Sequence, residues 1–196
     1  AGGFLQLLPH RRLTSADGDA VWSEPVHQFM HEDVCEESLE GQILPIGRRE
    51  HDLVADAHTQ RRRVQLVEKL LEGCAELGVQ AFVSVPVRGP LPDAVQAQDE
   101  LDSCVRGLEL LAPRAEATGV TITVEPLIRY ETHLINSLAD AVAVAQRVDS
   151  PAVRVMADFF HMNTEEDDIP TSIQAAGDWI AHVHLADSNR RQPGTG

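Results

Sequence analysis

Positive charge is what this chain has little of. Sixteen lysines and arginines face 31 aspartates and glutamates, a formal net charge of −15. Such a field repels a polyanion, which argues against extended contact with nucleic acid phosphates. Of the dense basic runs, Arg61-Arg62-Arg63 suits the exposed face of a helix better than a phosphate groove, and Arg190-Arg191 has another use considered below. Cysteine is scarce as well. Cys35, Cys74 and Cys104 lie far apart with no CxxC pair, so they read as small buried hydrophobes in a reducing compartment, with too few thiols for a structural zinc site. No uninterrupted apolar run reaches the ~18 residues of a membrane span, and no charged-then-apolar leader is visible. The expectation is a soluble, cytoplasmic protein with neither a membrane nor a nucleic acid partner.

What is present suffices for a core. At 196 residues and 43% hydrophobic content, the chain can form one domain over residues 1–196, or most of a barrel whose usual size is about 250 residues. From about residue 58 helices and strands alternate. Val64, Val67, Leu70, Leu71, Cys74 and Leu77 recur at helical spacing, and Gly78 offers a left-handed stop. Ala81–Pro86 follows as a short apolar strand. A second helix carries Leu101, Cys104, Val105, Leu108, Leu111, Ala112 and Ala115, with Pro113 predicting a kink and Gly119 a stop. Ser137 can cap a third helix through Val148, and a shorter helix spans Ile169 to Gly177. Uniformly apolar strands separated by helices predict a parallel sheet covered by helices, hence an α/β fold. In the first 55 residues, Phe4–Leu8 and Gln42–Ile46 read as two further strands, with Val26–Leu39 as an acidic helix or loop between them.

Three strands end in metal-ligand chemistry. Glu125 closes Val120–Val124, Asp158 and His161 close Val153–Ala157, and His184 lies inside Ile180–Leu185. Open α/β sheets and barrels place their chemistry at the carboxyl ends of such strands. A lone strand-end glutamate is usually solvated or salt-bridged, and a lone buried histidine is more often a hydrogen-bonded core group than a ligand. Together the three carry more weight, because neighbouring barrel strands would converge them on one point. One or two carboxylates with one imidazole suit Mn²⁺, Mg²⁺, Co²⁺ or Zn²⁺ in a shell that leaves room for substrate oxygens.

The segments Glu125-Pro126-Leu127-Ile128-Arg129-Tyr130-Glu131, Asp158-Phe159-Phe160-His161-Met162-Asn163 and His182–Gly196 resemble the xylose-isomerase-like sugar isomerase/epimerase barrels. Within that superfamily they are most similar to ketose 3-epimerases of the tagatose/psicose type and to sugar-phosphate isomerase/epimerase relatives. The resemblance covers roughly Thr59 to Gly196 and implies a (β/α)8 TIM barrel, here incomplete, with the last βα unit and part of the first missing. It also implies a divalent ion, commonly Mn²⁺, Mg²⁺ or Co²⁺ with Zn²⁺ as a further candidate, held by Glu125, Asp158 and His184. Glu125 is then also one of two carboxylates that exchange the proton on the substrate carbon, while Glu131, His161 and Arg190 hold substrate oxygens. Proton removal next to a carbonyl creates an enediolate, whose charge an ion on both oxygens would stabilise.

The departures from the family pattern are as informative. The family's fourth ligand, a last-strand glutamate that is also the second acid/base, would lie about two dozen residues past Gly196, and Ile128 stands where the family often has asparagine. The leading expectation is a metal-dependent isomerase or epimerase of a ketose or related hydroxycarbonyl. The alternatives are an inosose-type keto-polyol dehydratase of the same superfamily and a truncated, non-catalytic paralogue. The related three-zinc endonucleases are disfavoured by the acidic charge and too few ligands. Seven strands at most can be counted before Gly196, so the 196 residues alone predict an open barrel with two unpaired edges, a tendency to homo-oligomerise and little epimerase activity.

Overall fold

The structure, a computed structural model, describes residues 13–14, 20–21, 53–85 and 94–196. The expected strands at Phe4–Leu8 and Gln42–Ile46, and the segment Val26–Leu39 between them, lie outside those residues. Contacts within the chain fall into two units, residues 6–50 and residues 1–5 with 51–196. In the first, the two-residue strands β1 (Leu13–Thr14) and β2 (Ala20–Val21) pair antiparallel.

The second unit alternates as the periodicity predicts. Helix α1 (Ala57–Glu76) begins at Asp56, whose side chain accepts from the His58 and Thr59 amides. It buries Gln60, Val64, Val67 and Leu71. Leu77, read from the sequence as part of that face, is 73% exposed, because it sits at the C-cap where the helical spacing has ended and Gly78 turns the chain at φ 72°. Strand β3 (Ala81–Ser84), helix α2 (Ala94–Thr118) and strand β4 (Thr121–Val124) follow, and α2 runs through Pro113. Helix α3 (Leu138–Val148) opens with a reciprocal capping box between Ser137 and Asp140, a device worth about 1 kcal/mol. Strand β5 (Val153–Asp158) passes directly into a short helix α4 (Phe159–Glu165), which the apolar pattern does not signal. Helix α5 (Ile169–Ala176) and strand β6 (Ile180–His184) complete the unit.

The four strands form one parallel sheet in the order β3-β4-β5-β6. Sequential parallel strands with helical crossovers are the repeating unit of an eight-stranded barrel. Ile122, Val124, Val153, Val155 and Ala157 pack with Leu108, Leu111, Leu138, Ala141 and Val144 into the core on the helix side. Strand alternation sends Thr123, Met156 and Asp158 to the other face. Strand β6 departs from the uniform burial expected of it: it is half-buried, with Ala181 and Val183 exposed. Its register slips by one residue, since Val155 pairs with Ile180 but Met156 pairs with His182 and Asp158 with His184. That slip moves His182 and His184 from the helix face to the face of Met156 and Asp158.

Two local constraints are testable. Gly107 is buried in the middle of α2, and a Cβ there would lie 2.8 Å from Leu53 Cβ and 3.2 Å from its Cδ2. Overpacking of this kind costs ~1–3 kcal/mol, against a helix-propensity gain of at most ~1 kcal/mol for replacing glycine. Gly107→Ala should therefore destabilise the fold by roughly 1 kcal/mol, seen as a lower urea midpoint with an unchanged m-value. The loop after β6 is gathered by Asp187, whose carboxylate accepts from the Ser188, Gly194 and Thr195 amides at 2.7, 2.7 and 3.0 Å. Backbone N–H groups, that of Gly196 foremost and then those of Ser188 and Gly194, pull its pKa down to about 2. A depressed carboxylate supports structure above its unfolded pKa and loses that support as pH falls through the folded value. The Gly194 and Thr195 amide resonances should thus hold constant down to about pH 3 and shift together with a midpoint near 2.

Candidate metal and substrate site

The carboxyl edge of the sheet collects four titratable side chains. Glu125 follows β4 directly, and its amide donates to Ser84 O at 3.0 Å, so the ladder itself fixes its backbone. Asp158 is the last residue of β5 and caps α4 by accepting from the Phe160 amide at 2.8 Å through Oδ1, which leaves Oδ2 for the site. His161 lies one turn further on in α4, and His184 ends β6. His184 Nδ1 is 3.4 Å from Asp158 Oδ2 and 3.9 Å from Glu125 Oε1. His161 Nε2 is 3.8 Å from Glu125 Oε1 and 4.0 Å from Asp158 Oδ2. All four sequence candidates at the strand ends therefore meet at one place.

Two carboxylates are buried there, Glu125 at 7% and Asp158 at 6% exposure. With His161 they offer ligand atoms that all lie within 4.8 Å of one another. At that spacing the two negative charges would repel by roughly 3 to 4 kcal/mol at an effective dielectric of 20, in addition to the several kcal/mol that each loses in desolvation. Nearby positive charge or hydrogen-bond donors must offset this. Burial works to raise the Asp158 pKa, but the hydrogen bond with His184, the neighbouring imidazoles and the Phe160 amide hold it below the usual carboxylate value. Two carboxylate oxygens with an imidazole nitrogen suit a small divalent cation, so the residues present fit the ion that the resemblance implies.

The two histidines are not equivalent. The Ile128 amide donates to His161 Nδ1 at 3.2 Å. A backbone N–H can only donate, so Nδ1 carries the lone pair and the proton of the neutral ring sits on Nε2. The nitrogen of His161 that faces Glu125 and Asp158 is thus an N–H donor, whereas a metal ligand must present a lone pair there. His184, whose Nδ1 faces both carboxylates, is the better candidate ligand, although its side chain is the more exposed of the two, 17% against 5%.

Glu131 and Arg190 bind each other beside this cluster. Arg190 Nη2 donates to Glu131 Oε1 at 2.9 Å, and the guanidinium lies 4.1 Å from the centre of the Phe160 ring. Phe160 in turn meets His161 edge to face, so the pair borders the cluster through an aromatic ring. Ile128, where the sequence departs from the family pattern, has a buried side chain and contributes its amide instead. Sequence reasoning missed Arg129 and Glu165, which form a bidentate pair, and it missed Asp187. A carboxylate four residues after His161 and an Asp-Ser-Asn run before Gly194 are the signals that were available.

Residues 36–196 match the xylose isomerase-like TIM barrel family. The chain is 34% identical over 137 residues to the 3-dehydro-D-guloside 4-epimerase of Escherichia coli K12, which covers 66% of this chain and 52% of that protein. It is 41% identical over 92 residues to the D-psicose 3-epimerase of Agrobacterium fabrum, covering 47% and 32%. Among solved structures, a D-psicose 3-epimerase crystallised in the presence of D-fructose superposes with a TM-score of 0.69 at 30% identity, covering 76% of this chain and 53% of that one. The 3-keto-D-glucoside 4-epimerase of E. coli gives 0.68 at 32% identity, covering 74% and 59%. The chain spans about half the length of the curated relatives it matches or less. With its four sequential parallel strands joined by helical crossovers, it belongs to the xylose isomerase-like TIM barrel family, of whose barrel it shows an incomplete portion.

Proposed function

We propose that this chain carries the metal- and base-bearing part of an epimerase that inverts the carbon next to a ketone in a sugar, or of an isomerase that moves the carbonyl to that carbon. The observation that carries this is the meeting of Glu125, Asp158, His161 and His184 at the carboxyl edge of the sheet. The relatives named D-psicose 3-epimerase and 3-dehydro-D-guloside 4-epimerase share one chemical feature: the carbon inverted is the neighbour of a ketone carbon. Its C–H is acidified by that ketone, so a single base placed beside the carbon and donors placed at the oxygens suffice to start either reaction. We read residues 1–196 as one partial barrel domain, a reading that the family match supports over residues 36–196.

In this reading Glu125, Asp158 and His184 hold a divalent ion, with Mn²⁺, Mg²⁺ or Co²⁺ suited to a set of two carboxylates and one imidazole. Such an ion supplies positive charge where the substrate oxygens become negative. Glu125 is the base for the substrate C–H. Its burial keeps water from the proton it takes, and its position at a strand end leaves little freedom to swing. His161 donates its Nε2–H to a substrate oxygen, the role its tautomer allows. Glu131 and Arg190 contact hydroxyls, and substrate would compete for their mutual ion pair. The acidic chain makes an unphosphorylated sugar the favoured substrate, since a phosphate would have to rely on Arg190 and Arg191 against the overall field.

Metal binding should be stoichiometric and local. One Mn²⁺ per chain is expected by electron paramagnetic resonance titration, with Asp158→Ala and His184→Ala each weakening it more than tenfold and His161→Ala changing it less than threefold. The absence of any stoichiometric Mn²⁺ binding by the folded chain would leave the non-catalytic reading. Proton exchange is the second test, followed by NMR as incorporation of solvent deuterium next to the ketone of D-psicose or D-fructose, on this chain and on any longer polypeptide that contains it. Glu125→Gln should abolish exchange while retaining weaker Mn²⁺ binding, and His161→Ala should raise KM more than it lowers kcat. Exchange at the wild-type rate in the Gln variant would remove Glu125 as the base.

A further inference from the structure

Helix α4 presents two side chains one turn apart, His161 and Glu165, and each takes a backbone N–H from one of two consecutive residues in the loop after β4. The Ile128 amide donates to His161 Nδ1 at 3.2 Å, and the Arg129 amide donates to Glu165 Oε1 at 2.7 Å. Side chains four apart on a helix lie on one face, so the loop and the helix meet as a two-rung ladder. The second rung is the stronger. Arg129 Nε also donates to Oε1 at 3.0 Å and Nη2 donates to Oε2 at 2.8 Å, a bidentate geometry that fixes direction as well as distance. The Glu165 side chain is only 4% exposed although that of Arg129 is 61% exposed, so the pair sits against the protein and is screened less than an ordinary surface pair. The Arg129 side-chain hydrogen bond, opposed by burial and aided by the Arg129 amide, holds the Glu165 carboxyl below its usual value.

From this we infer that Arg129 and Glu165 are positioning residues for His161: by pinning the Arg129 amide they keep the neighbouring Ile128 amide on Nδ1, which keeps the His161 proton on the Nε2 that faces the site. The inference rests on the proposed donor role of His161 and extends it to two residues that are not themselves members of the cluster. The geometry leaves little alternative. At 3.2 Å the Ile128 contact is the longer rung, and a hydrogen bond that also selects a tautomer acts only while the donor stays in line. The same turn continues through Glu131, whose amide donates to Ile128 O at 2.8 Å. Displacing Arg129 would therefore also disturb the partner of Arg190.

The test uses the whole chain labelled with ¹⁵N-histidine, without metal, and compares wild type with Arg129→Ala and Glu165→Gln. Wild type should show His161 with a protonated Nε2 and an unprotonated Nδ1 in long-range ¹H–¹⁵N spectra, and a protected Ile128 amide. In Arg129→Ala the Ile128 amide should exchange at least tenfold faster and the Nδ1–H form of His161 should appear. Glu165→Gln, which keeps an oxygen for the Arg129 amide but loses the ion pair, should fall between the two. Mn²⁺ affinity measured by calorimetry should stay within threefold throughout, because neither residue is one of the proposed ligands Glu125, Asp158 and His184. An unchanged tautomer and Ile128 exchange rate in both variants would overturn the inference. So would faster exchange spread equally over the amides of β4 and β5, which would mean general loosening, or an Mn²⁺ affinity that fell with the tautomer. A wild-type chain that binds no Mn²⁺, with the tautomer change still seen in the variants, would sink the proposed function and leave the ladder standing.

Discussion

Two carboxylates forced together at the end of a parallel sheet are the constraint from which most of this structure's functional geometry follows. Glu125 and Asp158 end adjacent strands whose register is fixed by the ladder, Val124 pairing with Val155, so neither can withdraw without breaking backbone hydrogen bonds. Both are buried, and buried like charges demand compensation. The chain responds with nearby polar hydrogen. Asp158 turns one oxygen to the first turn of α4, where the helix dipole favours negative charge, and two imidazoles stand beside the other. The same frustration that a stability argument would count as a cost makes the site a good seat for a cation.

The surrounding elements divide their labour by direction. The helix side of the sheet is closed by aliphatic packing, with Ile122, Val153 and Val155 entirely buried, and it gives the sheet its rigidity. The opposite face carries Thr123, Met156, His182 and the site residues, a mixture too polar to form a core by itself. The loops after β4 and β6 tie to each other through Glu131 and Arg190, and the first of them ties to α4 through Arg129 and Glu165. In the proposed reading, strand ends hold the groups that would meet metal and reacting carbon, while helix α4 and the loops hold those that would meet the other sugar oxygens. This is the usual split between scaffold and specificity in barrels.

Much of this was open to reading in the residues. Alternation of helix-spaced and uninterrupted apolar runs from residue 58 onward requires strands that are covered by helices, and the observed sheet has the four parallel strands in sequence order. Strand-end Glu125, Asp158 and His184 pointed to one place because neighbouring parallel strands all end at the same edge. Capping chemistry also acts locally, so Ser137 and Gly78 marked helix limits that the structure retains. Leu77 failed because a helical period says nothing about where the last turn stops.

What the sequence alone determined, then, is the alternation, the edge on which polar chemistry collects and the chemical types gathered there, since each depends on interactions within a few residues or on a period of two or 3.6. Tertiary structure decided the rest. Whether His184 faces the site or the helices turns on a one-residue slip of β6 against β5, and no local pattern encodes it, because shifting a strand by one inverts every side chain. Which nitrogen of His161 carries the proton depends on an amide 33 residues away in the chain. The close fit of Gly107 to Leu53 and the grip of Glu165 on Arg129 likewise exist only once distant segments touch. Register, tautomer and steric contact are properties of pairs of segments, and a pair has no geometry until the chain has folded.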